Sequence, residues 1–370
     1  MLPHAGNTQV NSHTPLLSAR AVLTSLGSKA TVTVHPGVPC QPVTNANTGN
    51  EYELCEFAGS NTSLISAAAE AAAAAEIAVV FLGSTACNNT LTQSCIEGEG
   101  RDRHGIGLPA TQLALLQAVV QKQPSTILVL VNGGAISAAW AKQHVPAVVE
   151  ALYPGERGGE AIANVLFGRV SPAGRLPFTV PQEDFIQRNM LNMDLRAEGG
   201  VTYQWLQAEP VWEFGAGVSY STFEWVWHAP PAEEQITTLQ IAAVADAGGV
   251  DLPAAIVKNT GGYKSDAVSL GFVSAAANRT ADYPIRALFD FDRASLAIGG
   301  SATVRLRLSS QSLSVVEEGG ARWLRPAEFE VQVGEDNSLA PSKGGGARMR
   351  LRLYGEAVRL PSYNWPVQST

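Results

Sequence analysis

The segment from Ser94 to Arg103 holds the side chains with the most obvious chemistry. It reads S-C-I-E-G-E-G-R-D-R, with Glu97 and Glu99 between glycines and Asp102 between two arginines. A carboxylic acid held against apolar walls has a raised pKa and can donate a proton, so either glutamate is a candidate general acid. Asp102, flanked by arginines, is expected to be ionised and to fix the loop together with Arg103. A solvated, charged loop is the alternative interpretation from chemistry alone.

Other reactive residue types show no pattern of a metal or cofactor site. The four cysteines have no C-x-x-C spacing, and His35 and His144 lack the spacing of metal ligands. The G-x-S-x-G signature of serine hydrolases is absent, and His104 beside the acidic residues is more simply a surface histidine. We therefore expect a site that works with carboxylates and needs no metal or cofactor.

The elements that must position this segment alternate between strand and helix. Apolar runs predict strands at 30–34, 77–82, 126–131 and 147–152, and helical patterns occur at 18–26, 63–75, 111–122, 137–144 and 159–167. Asn61 or Thr62 is the expected N-cap of the second helix. Strands apolar on both faces and separated by helices predict a parallel sheet covered on both sides. The connection at 83–108 leaves the carboxyl end of a strand, where such sheets carry chemistry, and it is too long for a bare connector.

The pattern changes after Pro181. Residues 182–217 are aromatic-rich and irregular, and residues 39–59 earlier in the chain are likewise polar and without a period. Beyond Tyr220, alternating strands are predicted at 237–244, 254–259, 267–273, 302–308, 328–333 and 347–354. Strands without helices between them favour an immunoglobulin-type sandwich. We expect an α/β domain at 1–181, a linker at 182–222 and an all-β sandwich at 223–370.

Composition excludes several classes of protein. The 370 residues carry a net charge of −8 without any run of basic residues, which argues against a nucleic-acid partner. No apolar stretch approaches the roughly 18 residues of a membrane span. The first residues, M-L-P-H-A-G-N, have neither the basic nor the apolar region of a signal peptide.

The cysteines form two nearby pairs, Cys40 with Cys55 and Cys87 with Cys95. Each pair flanks a polar, turn-rich stretch, which favours two local disulfides in an oxidising compartment, with four unrelated thiols as the alternative. Glycosylation sequons at Asn61, Asn88 and Asn278 are compatible with secretion.

A long series of ordered motifs resembles glycoside hydrolase family 3. The matching segments are E-G-E-G-R-D-R with L-P-x-x-Q at 97–112, L-V-L-V-N-G-G-A-I at 128–136, Y-P-G-E-R-G-G-E-A-I-A-N-V-L-F-G at 153–168, S-P-A-G-R-L-P-F-T at 171–179 and F-G-A-G-V-S-Y-S-T-F at 214–223. V-K-N-T-G at 257–261 and the V-G-E that ends at Glu335 are similar to the family's fibronectin type III-like domain. The form I-E-x-E-G and L-S-V-V-E-E-G-G-A-R-W at 313–323 look most like the β-xylosidase branch, which is shared with arabinofuranosidase and some β-glucosidase activities.

The resemblance implies a retaining glycoside hydrolase whose substrate is an oligosaccharide, such as a xylan fragment, or an aryl glycoside. It implies a nucleophilic Asp on a (β/α)8 barrel, for which this sequence has no counterpart. In that family the acid/base lies in the same acidic loop, so Glu97 is the better match and Glu99 the alternative, with Asp102 and Arg103 supporting the loop. The expected partner is a barrel domain encoded upstream, and the expected location of the full-length protein is extracellular or in the secretory pathway.

The sequence leaves two functions open. One is the acid/base half of a β-xylosidase-like hydrolase, and the other is an inactive carbohydrate-binding or scaffolding remnant of such an enzyme. The missing nucleophile favours the remnant for this chain by itself, whereas the intact acidic loop favours descent from an active enzyme. We expect no enzymatic turnover from this chain alone.

Overall fold

The structure is a computed structural model that describes residues 19, 21, 25, 30–35, 40–44, 51–55, 62–84, 103–189, 191–229, 236–275, 283–335 and 346–361. The chain divides into two compact units. The first comprises residues 1–170 and 180–188, and the second comprises residues 171–179 and 189–370. The domain boundaries expected at 181 and 222 stay predictions.

The first unit contains a hairpin that the sequence did not reveal. Strand β1 (Cys40–Thr44) pairs antiparallel with β2 (Glu51–Cys55), and the register sets Cys40 opposite Cys55. The sequence analysis found no period at 39–59, so these two strands were not predicted. Strands of five residues carry little local signal, because their pairing depends on a partner elsewhere in the chain.

The first unit also contains a parallel sheet with helices, as predicted. The strands are β3 (Ala78–Gly83), β4 (Thr126–Val131) and β5 (Ala147–Glu150), in the order β3-β4-β5. The helices are α1 (Ile65–Ala73), α2 (Ala110–Lys122), α3 (Ala139–His144) and α4 (Gly158–Leu166). Leu128, Val129 and Leu130 of the central strand are fully buried, which accounts for its continuous apolar run.

Two local predictions in this unit were wrong. Residues 30–35 lie in the described part of the chain and contain no strand, although A-T-V-T-V alternates. Helix α1 begins at Ile65 with Leu64 as its N-cap and without a side-chain cap; the Thr62 carbonyl accepts the Ile65 N–H at 3.1 Å. Asn61 lies outside the described residues. The alanine-rich helix thus starts without the capping hydroxyl that sequence patterns anticipate.

The second unit contains the β-sandwich. Ahead of the sandwich strands in the sequence come a short 3-10 turn (Glu183–Gln187), which belongs to the first unit, and helix α5 (Thr202–Trp205). The strands are β6 (Phe223–Trp227), β7 (Ile236–Gln240), β8 (Gly249–Asp251), β9 (Ala255–Asn259), β10 (Ser265–Ala275), β11 (Ala287–Leu296), β12 (Ser301–Val304), β13 (Arg307–Ser309), β14 (Val315–Val316), β15 (Arg322–Leu324), β16 (Ala327–Gly334), β17 (Ala347–Tyr354) and β18 (Val358–Arg359), with helix α6 (Ile241–Asp246) after β7.

Two sheets contribute to the core of the sandwich. They are a five-stranded sheet (β11-β10-β16-β17-β7) and a three-stranded sheet (β12-β9-β6), and β13-β8 and β14-β15-β18 are small additional sheets. Two tryptophans of β6 reach this core with their indole N–H groups satisfied. Trp225 donates to the Ser269 hydroxyl at 2.8 Å, and Trp227 donates to the Arg348 carbonyl at 2.9 Å.

Two strand predictions in the sandwich need correction. The strand expected at 237–244 ends at Gln240, and helix α6 follows it, so the strand-only pattern expected beyond residue 230 is interrupted once in the described part of the sandwich. Ile241 and Val244, three residues apart, are both buried, which is a helical spacing that the alternation concealed. The strand expected at 302–308 divides into β12, which pairs with β9, and β13, which pairs with β8.

Candidate functional site

The structure describes the two ends of the acidic loop. We call residues 85–102 the acidic segment. Its candidate residues Glu97, Glu99 and Asp102 lie outside the described residues, as do Cys87 and Cys95. The chain leaves β3 at Ser84 and returns at Arg103, and both residues lie beyond the carboxyl ends of the parallel strands. These two ends are the parts of the site whose contacts are described.

Gln112 holds the beginning of the acidic segment. The Gly83 N–H donates to its Oε1 at 2.9 Å, and its Nε2 donates to the Gly83 carbonyl at 2.8 Å, so the amide side chain satisfies one whole residue of backbone. Gln112 is 1% exposed and lies in the first turn of α2, which follows Pro109 as N-cap. The L-P-x-x-Q motif thus starts a helix and directs an amide onto the end of the neighbouring strand.

Only a glycine fits where Gln112 makes this contact. An ideal Cβ on Gly83 would lie 1.9 Å from the Val131 carbonyl oxygen, which is backbone and has no room to move. The next residue continues the ladder, because the Ser84 N–H donates to the same Val131 carbonyl at 3.1 Å. The exit from β3 is therefore fixed by backbone contacts on one side and by Gln112 on the other.

Tyr153 reaches the same exit from the next connection of the sheet. Its hydroxyl donates to the Ser84 carbonyl at 3.3 Å, and its ring lies against Gly133, where an ideal Cβ would be 2.5 Å from the ring. The first glycine of N-G-G at 132–134 is thus explained by the close approach of an aromatic ring.

Arg103 holds the end of the acidic segment. Its Nη1 donates to the Ala135 carbonyl at 3.0 Å, and its Nη2 lies 3.1 Å from the ideal Cβ position of Gly134. This contact is of the kind that a loop-supporting residue makes, and the role itself stays a prediction. His104 beside it is exposed.

Further contacts extend this second anchor. Gly107 forms an isolated parallel bridge with Ser137, whose N–H donates to the Ile106 carbonyl at 2.7 Å. A Cβ on Gly107 would lie 2.5 Å from Oε1 of Glu183, so the returning stretch 180–188 closes against this turn. Residues 132–137 after β4 therefore contact Arg103 and the residues after it directly, and they contact Ser84 through Tyr153.

Glu150 is a partly buried acid of this edge that sequence patterns did not single out. It is the last residue of β5, and its carboxylate accepts the Leu152 N–H at 3.0 Å and the Asn132 Nδ2 at 3.4 Å. Burial raises the pKa of this carboxyl above its ordinary value, and these two hydrogen bonds oppose the rise. The signal in the sequence was an acid that ends the otherwise apolar run A-V-V-E. Its place in the site becomes evident only from its contact with Asn132, the residue that directly follows the neighbouring strand β4.

The described residues contain neither a cluster of metal ligands nor a helix that could cross a membrane. Among them, no three His, Cys, Asp or Glu residues converge as metal ligands. In the same part of the chain no helix combines the length and the apolarity needed to cross a bilayer. The described edge can hold an acid-bearing segment by its ends at the carboxyl side of a parallel sheet, where substrates of such folds bind.

Comparison with known proteins identifies both parts of the chain. Residues 6–220 match the model of the glycosyl hydrolase family 3 C-terminal domain, and residues 268–337 match the fibronectin type III-like domain. The chain is 30% identical over 308 residues to the exo-1,4-beta-xylosidase xlnD of Emericella nidulans, with 79% of this chain and 36% of that protein covered. It is 32% identical over 333 residues to the probable exo-1,4-beta-xylosidase xlnD of Aspergillus japonicus, with 84% and 39% covered.

Solved structures agree with these relatives. The chain superposes on a GH3 exo-beta-xylosidase (XlnD), in complex with a xylobiose aziridine activity based probe, with a TM-score of 0.76 and 26% identity; 96% of this chain and 43% of that one are covered. It superposes on the beta-glucosidase from Kluyveromyces marxianus in complex with glucose with a TM-score of 0.65 and 25% identity, over 84% and 35% of the two chains. The chain spans about two fifths of the length of the curated relatives it matches. The matched models, of which the first covers the parallel sheet and more than half of the chain, establish that the chain belongs to glycosyl hydrolase family 3.

Proposed function

We propose that this chain supplies the general acid/base of a retaining β-xylosidase-type glycoside hydrolase, with Glu97 in that role and Glu99 as the alternative. The observation that supports the proposal is the double anchoring of the acidic segment. Gln112 and Tyr153 hold Gly83 and Ser84 just before the segment, and Arg103 just after it donates to the Ala135 carbonyl. A segment with two carboxylic acids, tied at both ends to the carboxyl edge of a parallel sheet, is suited to present an acid to a substrate.

Retaining hydrolysis needs a second carboxylate about 5–5.5 Å from the acid. In this proposal a (β/α)8 barrel domain contributes that residue, an aspartate. Protonated Glu97 donates its proton to the glycosidic oxygen while the C1–O bond breaks and the aspartate forms an ester with C1. The Glu97 carboxylate then takes a proton from water, and the hydroxyl attacks C1 and releases the aspartate.

The substrate class proposed is a terminal β-xylosyl residue of a xylan oligosaccharide. The support is the identity of 30–32% to proteins named as exo-1,4-beta-xylosidases. Aryl β-xylosides are the matching assay substrates, with aryl β-glucosides and arabinofuranosides as the comparison set.

Secretion with two disulfides is part of the same proposal. Directly opposed residues of an antiparallel pair have Cα atoms about 4.5–5.5 Å apart, and disulfides need about 4.4–6.8 Å. The register of Cys40 opposite Cys55 is therefore favourable for the first bridge. Peptide mapping without reduction is expected to show Cys40–Cys55 and Cys87–Cys95, and free thiols at all four positions would refute both bridges.

The experiment for the acid/base role uses this chain fused to, or mixed with, the barrel domain of a related xylosidase. The chain alone is expected to lack turnover on aryl β-xylosides, and the pair to be active. Glu97→Gln is then expected to lower kcat by about 10²–10⁴-fold, with Glu99→Gln as the milder matched control. Azide is expected to rescue the Glu97 variant partly on substrates with good leaving groups, because these need no acid and azide attacks the glycosyl-enzyme without a base.

Two results would contradict the proposal. Robust turnover by the isolated 370-residue chain would mean that it contains its own nucleophile. An unaffected Glu97→Gln enzyme with an impaired Glu99→Gln enzyme would transfer the acid/base role to Glu99.

The second candidate function is carbohydrate binding without catalysis. Its supporting observation is an exposed aromatic pair at one end of the sandwich: Tyr220 and Tyr263 are 40% and 50% exposed, with ring centroids 5.7 Å apart. The hydroxyls of Thr222 and Thr260 are exposed close by and hydrogen-bonded to each other at 3.0 Å. Affinity electrophoresis in gels with and without soluble xylan tests this function. Retardation that Tyr220→Ala and Tyr263→Ala abolish would support it, and unretarded migration of the unaltered chain would exclude it.

A further inference from the structure

Leu152 has an unusual backbone conformation for its type. Its φ is 49°, in the left-handed region that branched side chains avoid, and it lies directly between the end of β5 and Tyr153. Such a conformation persists only where surrounding contacts determine it, and it is concentrated at functional sites. Glu150 makes the contact that maintains this conformation, and Tyr153 is the residue that the conformation positions.

The Glu150 carboxylate is the contact that maintains the turn. Its Oε1 accepts the Leu152 N–H at 3.0 Å, across only two residues, while the Ala151 N–H still donates to the Leu130 carbonyl at 2.9 Å and so continues the pairing with β4. The other carboxylate oxygen faces Asn132 Nδ2 at 3.4 Å. Glu150 thus joins its own turn to the first residue after β4.

The turn determines where Tyr153 lies. Immediately after Leu152, the Tyr153 ring contacts Gly133 and its hydroxyl donates to the Ser84 carbonyl. If Leu152 left the left-handed region, the chain direction would change at this point, and the Tyr153 ring would leave Gly133 and Ser84. A carboxylate on β5 is therefore linked, through Leu152 and Tyr153, to the residue from which the acidic segment departs.

We propose that Glu150 is a positioning residue for the exit from β3: by holding Leu152 in the left-handed conformation, it orients Tyr153 and so fixes Ser84. Glu150 acts through Leu152 and Tyr153 and takes no proton from substrate in this proposal. The relevance of Ser84 to catalysis rests on the proposed function, but the linkage from Glu150 to Ser84 does not.

The experiment measures amide hydrogen exchange by mass spectrometry on the 370-residue chain, without barrel or substrate. Glu150→Ala is expected to speed exchange in peptides that contain Ser84 by about tenfold, because local opening no longer has to break the Tyr153 contact. Peptides from the sandwich strand β17 serve as the internal control and are expected to be unchanged.

Leu152→Gly separates positioning from a general structural role. Glycine adopts positive φ without strain, so the turn no longer needs its carboxylate anchor. The double variant Glu150→Ala/Leu152→Gly is expected to return exchange at Ser84 to within about twofold of the unaltered chain. If Glu150 acted only by filling space or by general stabilisation, glycine two residues away would not restore the Ser84 peptides.

Tyr153→Phe is the second, independent variant. It keeps the ring against Gly133 and removes only the hydroxyl that reaches Ser84, so folding is preserved. It is expected to speed exchange in the Ser84 peptides and to leave peptides that cover 133–136 unchanged. Should Glu150→Ala alone fail to fold, the double variant is expected to fold and to show the rescued exchange.

Three outcomes would overturn the proposal: unchanged Ser84 exchange in Glu150→Ala, no rescue by Leu152→Gly, or unchanged Ser84 exchange in Tyr153→Phe. The test is independent of the acid/base assignment. A completed enzyme in which neither Glu97→Gln nor Glu99→Gln has an effect would refute the proposed function and leave the exchange result standing. Unchanged Ser84 exchange in Glu150→Ala, together with an impaired Glu97→Gln enzyme, would refute the positioning role of Glu150 and leave the proposed function standing.

Discussion

Arg175 and Glu335, which are 160 residues apart in the sequence, form a largely buried ion pair in the second unit. The Arg175 side chain is 5% exposed, and its Nε also donates to the Glu335 backbone carbonyl at 3.2 Å. Leu176 beside it exchanges backbone hydrogen bonds with Gly215 and Ala216. The contact joins two distant sequence motifs, because S-P-A-G-R-L-P-F-T supplies the arginine and V-G-E supplies the glutamate.

Arg175→Ala is expected to lower the free energy of unfolding by about 3 kcal/mol, because it leaves the largely buried Glu335 carboxylate without this partner. Urea denaturation followed by tryptophan fluorescence measures this. Arg293→Ala is the matched control: Arg293 pairs with Asp266 at 2.7 Å on the surface, so its loss is expected to cost at most about 1 kcal/mol. Equal effects of the two variants would contradict the importance assigned to burial.

Gln112→Leu is expected to destabilise the first unit by about 2–4 kcal/mol. The substitution keeps the side-chain volume but leaves the buried Gly83 N–H and carbonyl without their hydrogen-bond partners on Gln112. Gln117→Leu on the same helix is the control, because Gln117 is exposed and its change is expected to stay within about 0.5 kcal/mol. Thermal unfolding of both variants checks the difference, and a neutral Gln112→Leu would show that the amide contact is dispensable.

The pH dependence of stability is expected to contain a contribution from Glu150 that runs against that of most carboxylates. Burial raises its pKa in the folded state, so the folded chain binds this proton more tightly than the unfolded chain. The contribution is favourable at low pH and is lost as pH rises from about 4.3, the ordinary glutamate pKa, through the raised folded pKa. Glu150→Gln is expected to remove this decline, as denaturation at a series of pH values will show.

Asp266 provides the control with the opposite sign. Hydrogen bonds from Ser295 and Arg293 lower its pKa, so its contribution is present above the ordinary aspartate pKa and is lost as pH falls through the lowered one. Asp266→Asn is therefore expected to flatten the acid side of the stability curve. If Glu150→Gln flattened the acid side of the stability curve, as Asp266→Asn is expected to do, the sign assigned to Glu150 would be wrong.

Sequence predicted those elements whose local pattern agrees with their final surroundings. The run T-I-L-V-L-V predicted β4 to the residue, because a central parallel strand is apolar on both faces, and β17 was likewise predicted with its observed bounds. Helix α6 was missed because its apolar residues follow directly on those of β7, and the hairpin β1–β2 because its strands are short and polar.

The acidic residues of the candidate site stay a prediction, and the contacts that support its flanks could not be predicted from the sequence. Glu97, Glu99, Asp102 and Arg103 were singled out from charge and glycine spacing, and Arg103 contacts the turn after β4. Glu150 and Tyr153 were not predicted as site residues. Their proposed role depends on contacts with Asn132, Gly133 and Ser84, which follow other strands, and no spacing along the chain encodes those contacts.

The path of the chain between the two units limits how the protein can be divided. Residues 171–179 belong to the second unit, 180–188 return to the first, and the chain then re-enters the second at 189. A single cut therefore cannot yield both units whole: a truncation after 170 removes Glu183 from Gly107, and one after 188 leaves Arg175 without Glu335. Recombination that exchanges one unit for a foreign one must cross the chain at all three of these boundaries. We therefore expect the two units to be inherited together. The acidic segment is then expected to evolve together with the sandwich, although no residue of that segment lies in the sandwich.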